Sequence, residues 1–393
     1  MSSVIVGIAR TPLGRFGGVY RPLSAVELGA EAIGAALERS GVEPTQIDET
    51  LFGHVIQAGT GQITARQAAT RAGVPMTVPA TTINKVCLSG MTAIAMADKD
   101  IRLGEATFVI AGGMESMTNA PYLLPEGRYG SGMGDGAIVD SMTHDGLWCS
   151  FDHCMMGESS DLKNEKLAIG REEQDEWAAE SHRRAAAATD GGGFANEITP
   201  VTVPQRKGDP IEVIADEGIR RDTTADSLAA LRPAFRGDGT ITAGNASQIS
   251  DGAAAVIVAD EAAAQATGLP VLAKIISHGQ IGGQDATLHE RPAEAMKVAL
   301  KRASMAVGDL DLVEINEAFA AVALWSARML DIHPDRVNVN GGAVALGHPL
   351  GATGARITVG LINALRSRGG GLGAASLCGG GGQGDAIVLE VAG

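Results

Sequence analysis

The sequence predicts an α/β protein built from two similar halves, with a long segment inserted into the first half. Strand patterns alternate with amphipathic helix patterns, and parts of the first half recur at an offset of 263 residues, as between Gly53 and Asn316. Of the 393 residues 45% are hydrophobic, only 3% are aromatic and 53 are glycine, which predicts a closely packed aliphatic core. This composition suits an α/β protein better than an all-β one.

The internal repeat is clearest in one helix pattern and one strand pattern. AIGAALER at residues 32–39 is echoed by AMKVALKR at residues 295–302, each with apolar residues at helical spacing. The strand pattern at residues 108–113 is echoed at residues 375–380. Such alternation implies right-handed crossovers and a mostly parallel sheet covered on both faces, with the halves packed around a pseudo-twofold axis.

A further echo brings two chemically active side chains into correspondence. A strand pattern runs up to Cys87, and a helix pattern follows at residues 91–103. Its counterpart is a strand pattern at residues 337–339, then His348 and a helix pattern at residues 352–366. Cys87 and His348 are therefore predicted to occupy equivalent positions, each at a helix start.

The repeat also divides the chain. The predicted units are a first half at residues 1–118 plus 250–269, an insert at residues 119–249 and a second half at residues 270–393. Residues 253–259 are predicted to form the last strand of the first half. The insert is rich in Gly, Asp, Pro and Met, with one clear helix pattern at residues 172–188. Long ordered loops of this kind usually bind a ligand.

Charge and cysteine usage narrow the function class. The formal net charge of -15 argues against a general nucleic-acid or anionic-membrane surface. No apolar run reaches the roughly 20 residues that a membrane span needs. The four cysteines are scattered without a CxxC pair, and no secretory leader precedes the first strand, so we expect a cytoplasmic protein with reduced thiols. Cys149 and Cys154 lack metal-site spacing and are interpreted as ordinary loop packing, with no metal expected.

Cys87 is the first candidate for chemistry. A free cysteine is most often a core residue, and that interpretation holds for Cys87 taken alone. At a helix N-terminus, however, exposed amides and the macrodipole lower a thiol's pKa and favour the nucleophilic thiolate. Lys85 and Ser89 add polar neighbours that a packed cysteine does not need. The position therefore favours a nucleophile.

Three other residues are candidates, each with a structural alternative. His348, in GHPLGATG, could pair with Cys87 or simply bond backbone at a helix start. Asn316, in NEAFA, could hold a water or a substrate oxygen, or cap the next helix. Cys378 precedes a run of four glycines that matches no phosphate-loop pattern. Unshielded backbone N–H groups there could form an oxyanion hole, and the thiol could shuttle protons.

The motifs NEAFA, GHPLGATGAR and CGGGGQG, at these spacings, resemble the thiolase family, and the resemblance covers essentially the whole chain. It implies a duplicated five-layered α/β/α/β/α fold with an inserted loop domain, in a homotetramer or dimer. Cys87 matches the acyl-carrying nucleophile, His348 its base, and Cys378 the residue that exchanges a proton with the substrate α-carbon. Asn316, through a water, and His348 match one oxyanion hole, and the N–H groups of Cys87 and Gly380 match the other.

The resemblance also implies coenzyme A (CoA) and acyl-CoA as substrates, with no further cofactor and no macromolecular partner beyond copies of the chain. Positions that match the family's CoA site are Arg220 and Ser227 at the nucleotide end, and Met156, Phe235, Ala243, Ser247, Ala318 and Phe319 along the pantetheine tunnel. Two positions depart from the short-chain pattern. Met155 stands where a histidine is frequent, and Leu88 where a small residue is common, which leaves the acyl chain length open.

The expected activity is reversible Claisen condensation of acetyl-CoA to acetoacetyl-CoA, or CoA-dependent thiolysis of a 3-ketoacyl-CoA, within fatty acid metabolism. A decarboxylating ketoacyl synthase is the nearest alternative, but that class lacks the second catalytic cysteine that Cys378 would supply. A non-catalytic CoA- or lipid-binding relative is the other alternative. The sequence argues against this alternative, because all four positions expected to carry the chemistry hold the expected residues: Cys87, His348, Cys378 and Asn316.

Overall fold

The computed structural model describes residues 2–130 and 132–393. Its strands are β1 (Ser3–Arg10), β2 (Gly14–Arg15), β3 (Glu49–Gly53), β4 (Ala80–Ile83), β5 (Phe108–Ser116), β6 (Tyr122–Leu123), β7 (Val139–Asp140), β8 (Trp148–Cys149), β9 (Cys154–Met155), β10 (Val201–Val203), β11 (Ile211–Val213), β12 (Ser250–Asp260), β13 (Ala273–Gly282), β14 (Leu312–Ile315), β15 (Gly371–Gly379) and β16 (Gln383–Val391). Its α-helices are α1 (Ala25–Ser40), α2 (Thr64–Arg71), α3 (Ser89–Leu103), α4 (Met156–Leu167), α5 (Arg171–Asp190), α6 (Ala225–Ala229), α7 (Glu261–Thr267), α8 (Arg291–Ala303), α9 (Ala320–Leu330), α10 (Ala343–Leu346) and α11 (Thr353–Arg366).

The main sheet confirms the internal duplication. In the first half the strands run in the order β1-β12-β5-β3-β4, and in the second half β13-β16-β15-β14 repeats that order. The two orders meet where β1 pairs with β13 through Val4 and Ile5. The predicted strand at residues 337–339 is reduced to a single bridge between Val337 and Val313, at the place that β4 occupies in the first half.

The prediction of a mostly parallel sheet is wrong, because the sheet is mixed. Parallel pairing is found between β3 and its neighbours β4 and β5, and between β14 and β15. The strands β12 and β16 run antiparallel to both of their neighbours. A short hairpin connects β15 to β16, and β12 returns from the insert, so neither strand is reached by a helical crossover of the kind that produces parallel pairing.

Three hydrophobic cores arrange these elements in five layers. The helices α1 and α2 pack with residues from one face of the first half-sheet. The helices α3 and α11 share a core with residues from both half-sheets, and so lie between them. The helices α8 and α9 pack on the outer face of the second half-sheet. Burial on both faces explains why α3 and α11 are rich in small and aliphatic residues. The order of layers is therefore α/β/α/β/α, as predicted.

Within residues 119–249 the structure contains the predicted helix, α5, and two helices that the sequence did not predict, α4 and the five-residue α6. The helix α4 buries Ser159, Ser160, Asp161 and Asn164, and therefore lacks the apolar periodicity that identifies most helices. None of the described helices combines the length and the apolar character that a membrane crossing requires.

A buried ion-pair network ties this region to the first strand. The guanidinium of Arg10 donates to Glu197 at 2.6 Å and to both oxygens of Asp216 at 2.7 and 2.9 Å. Arg10 is fully buried, so each carboxylate compensates a charge that would otherwise be costly to bury. The bidentate geometry fixes where the chain of the insert crosses the end of β1.

Backbone contacts between glycines bring the two halves together near the end of β5. A Cβ atom on Gly113 would overlap the carbonyl of Gly351, and a Cβ on Gly53 would overlap the same carbonyl. Gly351 lies in the loop before α11, so this loop of the second half rests directly on strand ends of the first. Only a residue without a side chain permits so close an approach.

We expect Gly113→Ala to lower the free energy of unfolding by about 1–3 kcal/mol, because the added methyl overlaps backbone that cannot rotate away. The measurement is urea denaturation followed by circular dichroism. Gly34→Ala is the matched control: no atom lies within 4 Å of the position that its Cβ would take, and Gly34 is inside α1. There alanine should be neutral or stabilising by up to about 1 kcal/mol. Equal effects at the two positions would contradict the close-approach explanation.

Candidate active site

A cavity of about 440 Å³ lies where the two halves meet the insert. Its lining includes four of the residues predicted to carry chemistry: Cys87, His348, Cys378 and Gly380. The rest of the wall is largely apolar, with residues from both halves and from the 146–157 and 234–249 segments. A concave, mostly apolar cavity with a few convergent polar groups is the usual form of a small-molecule site.

Cys87 is presented by a strained turn. Val86 has a φ of +49°, which a β-branched residue rarely adopts. The Ser89 hydroxyl stabilises the turn, since it accepts from the Lys85 N–H at 2.8 Å and donates to the Val86 carbonyl at 2.6 Å. The helix α3 begins at Ser89 with Leu88 as N-cap, so Cys87 precedes the helix start rather than forming it. Strain of this kind costs about 1–3 kcal/mol and is typical of functional sites.

His348 comes from the loop before α11 and faces Cys87. Its Nε2 lies 3.3 Å from the Cys87 Sγ. The backbone N–H of His348 donates to the Gln248 carbonyl and to Ser250 Oγ, both at 3.2 Å. The preceding residue, Gly347, has a φ of +123°. The repeat thus placed Cys87 and His348 in corresponding loops, and the structure brings their side chains into contact.

Thr353 favours one tautomer of His348. Its hydroxyl lies 2.8 Å from the Pro349 carbonyl, to which it can donate, and 2.7 Å from His348 Nδ1, from which it can then accept. This arrangement favours the ring proton on Nδ1, with the Nε2 lone pair towards the Cys87 thiol. This is the tautomer that a general base requires.

Burial favours the neutral forms of Cys87 and His348. It raises the pKa of Cys87 to about 12, although the N–H groups of Gly380 and Cys87 itself oppose the shift. It lowers the pKa of His348 to about 3, with a smaller contribution from the Arg356 charge. The expectation of a lowered thiol pKa is therefore wrong, because loss of hydration outweighs the nearby amides. The thiol must give up its proton as the sulfur attacks, and His348 is placed to receive it.

Asn316 directly follows β14, and its side chain lies next to the His348 ring. Its Nδ2 is 3.5 Å from His348 Nδ1, and its Oδ1 accepts from Arg356 Nη2 at 3.4 Å. The alternative that Asn316 caps the next helix is wrong, because α9 begins at Ala320 with Phe319 as its N-cap. Asn316 is buried and is not among the residues that line the cavity, so the structure places it behind His348.

Cys378 and the glycine run also lie close to Cys87. Cys378 is close to the end of β15, and the turn to β16 has Gly381 and Gly382 at φ values of +77° and +66°. Burial raises the pKa of Cys378 well above its usual range, and the nearby Cys87 charge adds to this. The N–H of Gly380 points at the Cys87 sulfur. The backbone of this turn can therefore donate to an oxygen bonded to the carbon that Cys87 attacks.

Most of the residues predicted to contact CoA line the same cavity. They are Met156, Arg220, Phe235, Ala243, Ser247, Ala318 and Phe319. Ser227 is the exception: it lies in α6, exposed, with its hydroxyl donated to the Thr224 carbonyl, and it is not among the lining residues. Arg220 is exposed at the cavity and its N–H is held by His182 Nδ1 at 3.1 Å.

Two residues that position the site were not predicted from the sequence. Thr353 falls within GHPLGATGAR. Its hydroxyl, five residues after His348, was the one feature of the sequence that could have indicated a hydrogen bond to the histidine. Glu115, at the end of β5, is fully buried and accepts from the N–H groups of Val55, Ile56 and Gly351 at 3.1, 3.2 and 2.9 Å. Burial raises the pKa of Glu115 to about 7. No sequence pattern indicated this contact, because its donors are backbone groups from distant segments.

Nothing in the described part of the chain is arranged to bind a metal: residues 2–130 and 132–393 contain no group of three or more His, Cys, Asp or Glu side chains placed to do so. The four cysteines are all free thiols. The groups that the site presents are a thiol nucleophile, an imidazole base, a second thiol and backbone donors.

Family models for the thiolase N-terminal domain and the thiolase C-terminal domain match residues 3–262 and 269–391. The chain belongs to the thiolase family. Among relatives of this thiolase, a probable acetyl-CoA acetyltransferase of Mycolicibacterium smegmatis is 54% identical over 98% of this chain and 100% of its own length. The acetyl-CoA acetyltransferase of Pseudomonas aeruginosa is 49% identical over 98% of both chains.

A solved structure supports the same assignment at the level of the fold. The crystal structure of the Bacillus anthracis acetyl-CoA acetyltransferase superimposes with a TM-score of 0.97 at 43% identity, covering 99% of this chain and 98% of that one. The mixed sheet and the five layers of this thiolase are therefore those of the family.

We expect Thr353→Val to slow acylation of Cys87 by about ten- to hundredfold, equivalent to about 1.4–2.7 kcal/mol in activation free energy. Valine keeps the shape but leaves His348 Nδ1–H without an acceptor, which favours the tautomer with the proton on Nε2. Stopped-flow measurement of the acylation rate tests this. Thr353→Ser, which keeps the acceptor, should recover most of the rate, and failure of serine to do so would indicate a packing role instead.

Proposed function

We propose that this thiolase is an acetyl-CoA C-acetyltransferase, which condenses two molecules of acetyl-CoA to acetoacetyl-CoA and free CoA and also catalyses the reverse thiolysis. The observation that carries the proposal is the 3.3 Å contact between Cys87 Sγ and His348 Nε2 in a cavity that Cys378 also lines. The names of relatives that are 49–54% identical over nearly the whole chain support acetyl-CoA as the substrate.

In the first stage Cys87 becomes acetylated. As its sulfur attacks the thioester carbonyl, the thiol proton passes to His348 Nε2, and the N–H groups of Cys87 and Gly380 stabilise the negative oxygen. The carbon–sulfur bond to CoA then breaks, and the departing thiolate takes a proton from Cys378. This leaves an acetyl-Cys87 thioester, a protonated His348 and a Cys378 thiolate.

In the second stage a carbon–carbon bond forms. The Cys378 thiolate removes a proton from the α-carbon of a second acetyl-CoA. The enolate oxygen is stabilised by protonated His348 and by a water held by Asn316. Attack on acetyl-Cys87 releases acetoacetyl-CoA, and the Cys87 thiolate recovers its proton from His348.

The proposal extends to the binding of CoA and to the setting of the enzyme. Residues 119–249 form the unit that binds CoA, with Arg220 and Ser227 towards its nucleotide end and the apolar cavity wall along pantetheine. The enzyme acts in fatty acid metabolism in the cytoplasm as a homotetramer, and its four free cysteines agree with a reducing compartment. No metal or further cofactor takes part. Cys378 favours this reaction over decarboxylative condensation, and a malonyl-thioester assay distinguishes the two.

Intact-protein mass spectrometry tests the first stage. After mixing with acetyl-CoA, we expect one acetyl adduct, which peptide mapping assigns to Cys87. Cys87→Ala should form no adduct and should lose thiolysis of acetoacetyl-CoA by at least about a thousandfold. Thiolysis retained in Cys87→Ala would rule out the proposed intermediate.

Cys378→Ala separates the two stages. We expect the acetyl adduct on Cys87 still to form, because His348 remains, while condensation falls by at least about a hundredfold through loss of the α-carbon base. Deuterium exchange into the methyl group of acetyl-CoA, followed by NMR, should be lost in parallel. Normal exchange in this variant would remove the role assigned to Cys378.

The acyl chain length is tested by thiolysis rates across straight 3-ketoacyl-CoA substrates. We expect kcat/KM to fall at least about tenfold from acetoacetyl-CoA to the six-carbon substrate, because each misplaced methylene costs about 1–3 kcal/mol in a closed apolar pocket. Rates that stay level to eight carbons or beyond would instead identify a longer-chain enzyme, in line with Met155 at the cavity wall.

A further inference from the structure

Two cysteines outside the mechanism lie opposite each other in a hairpin. The strands β8 and β9 pair antiparallel, and Cys149 is the register partner of Cys154. Directly opposed residues in such a pair have Cα atoms about 4.5–5.5 Å apart and side chains on the same face. A disulfide needs a Cα separation of about 4.4–6.8 Å. The sequence analysis predicted ordinary loop packing for these cysteines, because the strand register cannot be read from their spacing along the chain.

The two thiols differ in exposure. Cys149 is buried, with 2% of its surface exposed, and its sulfur accepts the Asp152 N–H at 3.3 Å. Its carbonyl accepts the His153 N–H at 2.8 Å, so the connection folds back on the first strand. Cys154 is only partly buried. Cys154 is therefore the more accessible of the two thiols, with Cys149 opposite it in the hairpin.

The hairpin is part of the wall of the catalytic cavity. Met155 and Met156 follow Cys154 directly, and both line that cavity. The ring of Phe151, at the hairpin tip, lies 3.0 Å from the position of a Cβ on Gly381, in the glycine run after Cys378. A change in the covalent state of this hairpin therefore acts next to the residues that contact the acyl group.

We propose that Cys149 and Cys154 form a reversible dithiol–disulfide site, oxidised by a small-molecule disulfide such as oxidised glutathione. The Cys154 thiolate attacks one sulfur of the oxidant, forming a mixed disulfide and releasing one glutathione thiolate. The Cys149 thiolate then attacks the Cys154 sulfur, forming the intramolecular bond and releasing the second glutathione. The two protons lost by the cysteines go to the two glutathione thiolates, and the oxidant is reduced by two electrons.

Peptide mapping by mass spectrometry tests the bond itself. After the full-length protein is incubated with oxidised glutathione and its remaining thiols are alkylated, we expect a cross-link between Cys149 and Cys154 that dithiothreitol removes. No lasting glutathione adduct should remain on either residue. A lasting adduct on wild-type Cys154, or two fully alkylated thiols after prolonged oxidation, would overturn the proposal.

The single variants test the order of the two steps. Cys149→Ser cannot resolve the mixed disulfide, so we expect one stable glutathione adduct on Cys154. Cys154→Ser removes the accessible thiol, and we expect Cys149 to stay unmodified over the same period. Equal adduct formation in both variants would contradict the assigned roles.

The effect of this oxidation on the cavity is measured through KM for acetoacetyl-CoA. This measurement rests on the proposed function. We expect oxidation to change KM at least about twofold in the wild type, with recovery after reduction. The Cys149→Ser/Cys154→Ser double variant should show no oxidation-dependent change, which separates this site from oxidation of Cys87 or Cys378. Equal KM values in both states would disprove the link to the cavity. Absent thiolysis in the reduced wild type would refute the proposed function and leave the mapped disulfide standing.

Discussion

The contact between the loop before α11 and the strand ends of the first half is the constraint on which the site depends. The Gly351 carbonyl rests on Gly53 and Gly113, and the Gly351 N–H donates to buried Glu115. Because these contacts involve backbone, they leave little freedom for the loop that carries His348. A side chain at any of the three glycines would move the imidazole away from Cys87, and catalysis is sensitive to displacements of about 1 Å.

The same burial that orders the loop also decides the charge state of the site. The protein around Cys87 and His348 raises the pKa of the thiol and lowers that of the imidazole, which favours the neutral form of each. Charge then develops only when substrate is attacked, at a place where backbone N–H groups already point. Thr353 completes this arrangement by favouring the ring proton on the side of His348 that faces away from Cys87.

The segment between β5 and β12 contributes the wall of the cavity rather than its chemistry. It is fixed to the first strand by Arg10 and its two carboxylate partners, which are buried and well aligned. Within it, the β8–β9 hairpin combines an apolar side chain at the cavity wall, Met155, with an opposed pair of thiols. The last residues of this segment also help to place His348, since the Gln248 carbonyl accepts the His348 backbone N–H at 3.2 Å.

The sequence by itself determined the duplication, because apolar periodicity is a local property. Its motifs, through their resemblance to the thiolase family, implied the layer order and the residues of the site. The correspondence of Cys87 with His348 followed from the repeat. Only the tertiary structure decided strand direction, the tautomer favoured by Thr353, the raised pKa of Cys87 and the opposition of Cys149 to Cys154. Each of these depends on burial, on strand register or on side-chain geometry, and none of the three is encoded in the spacing of residues along one segment.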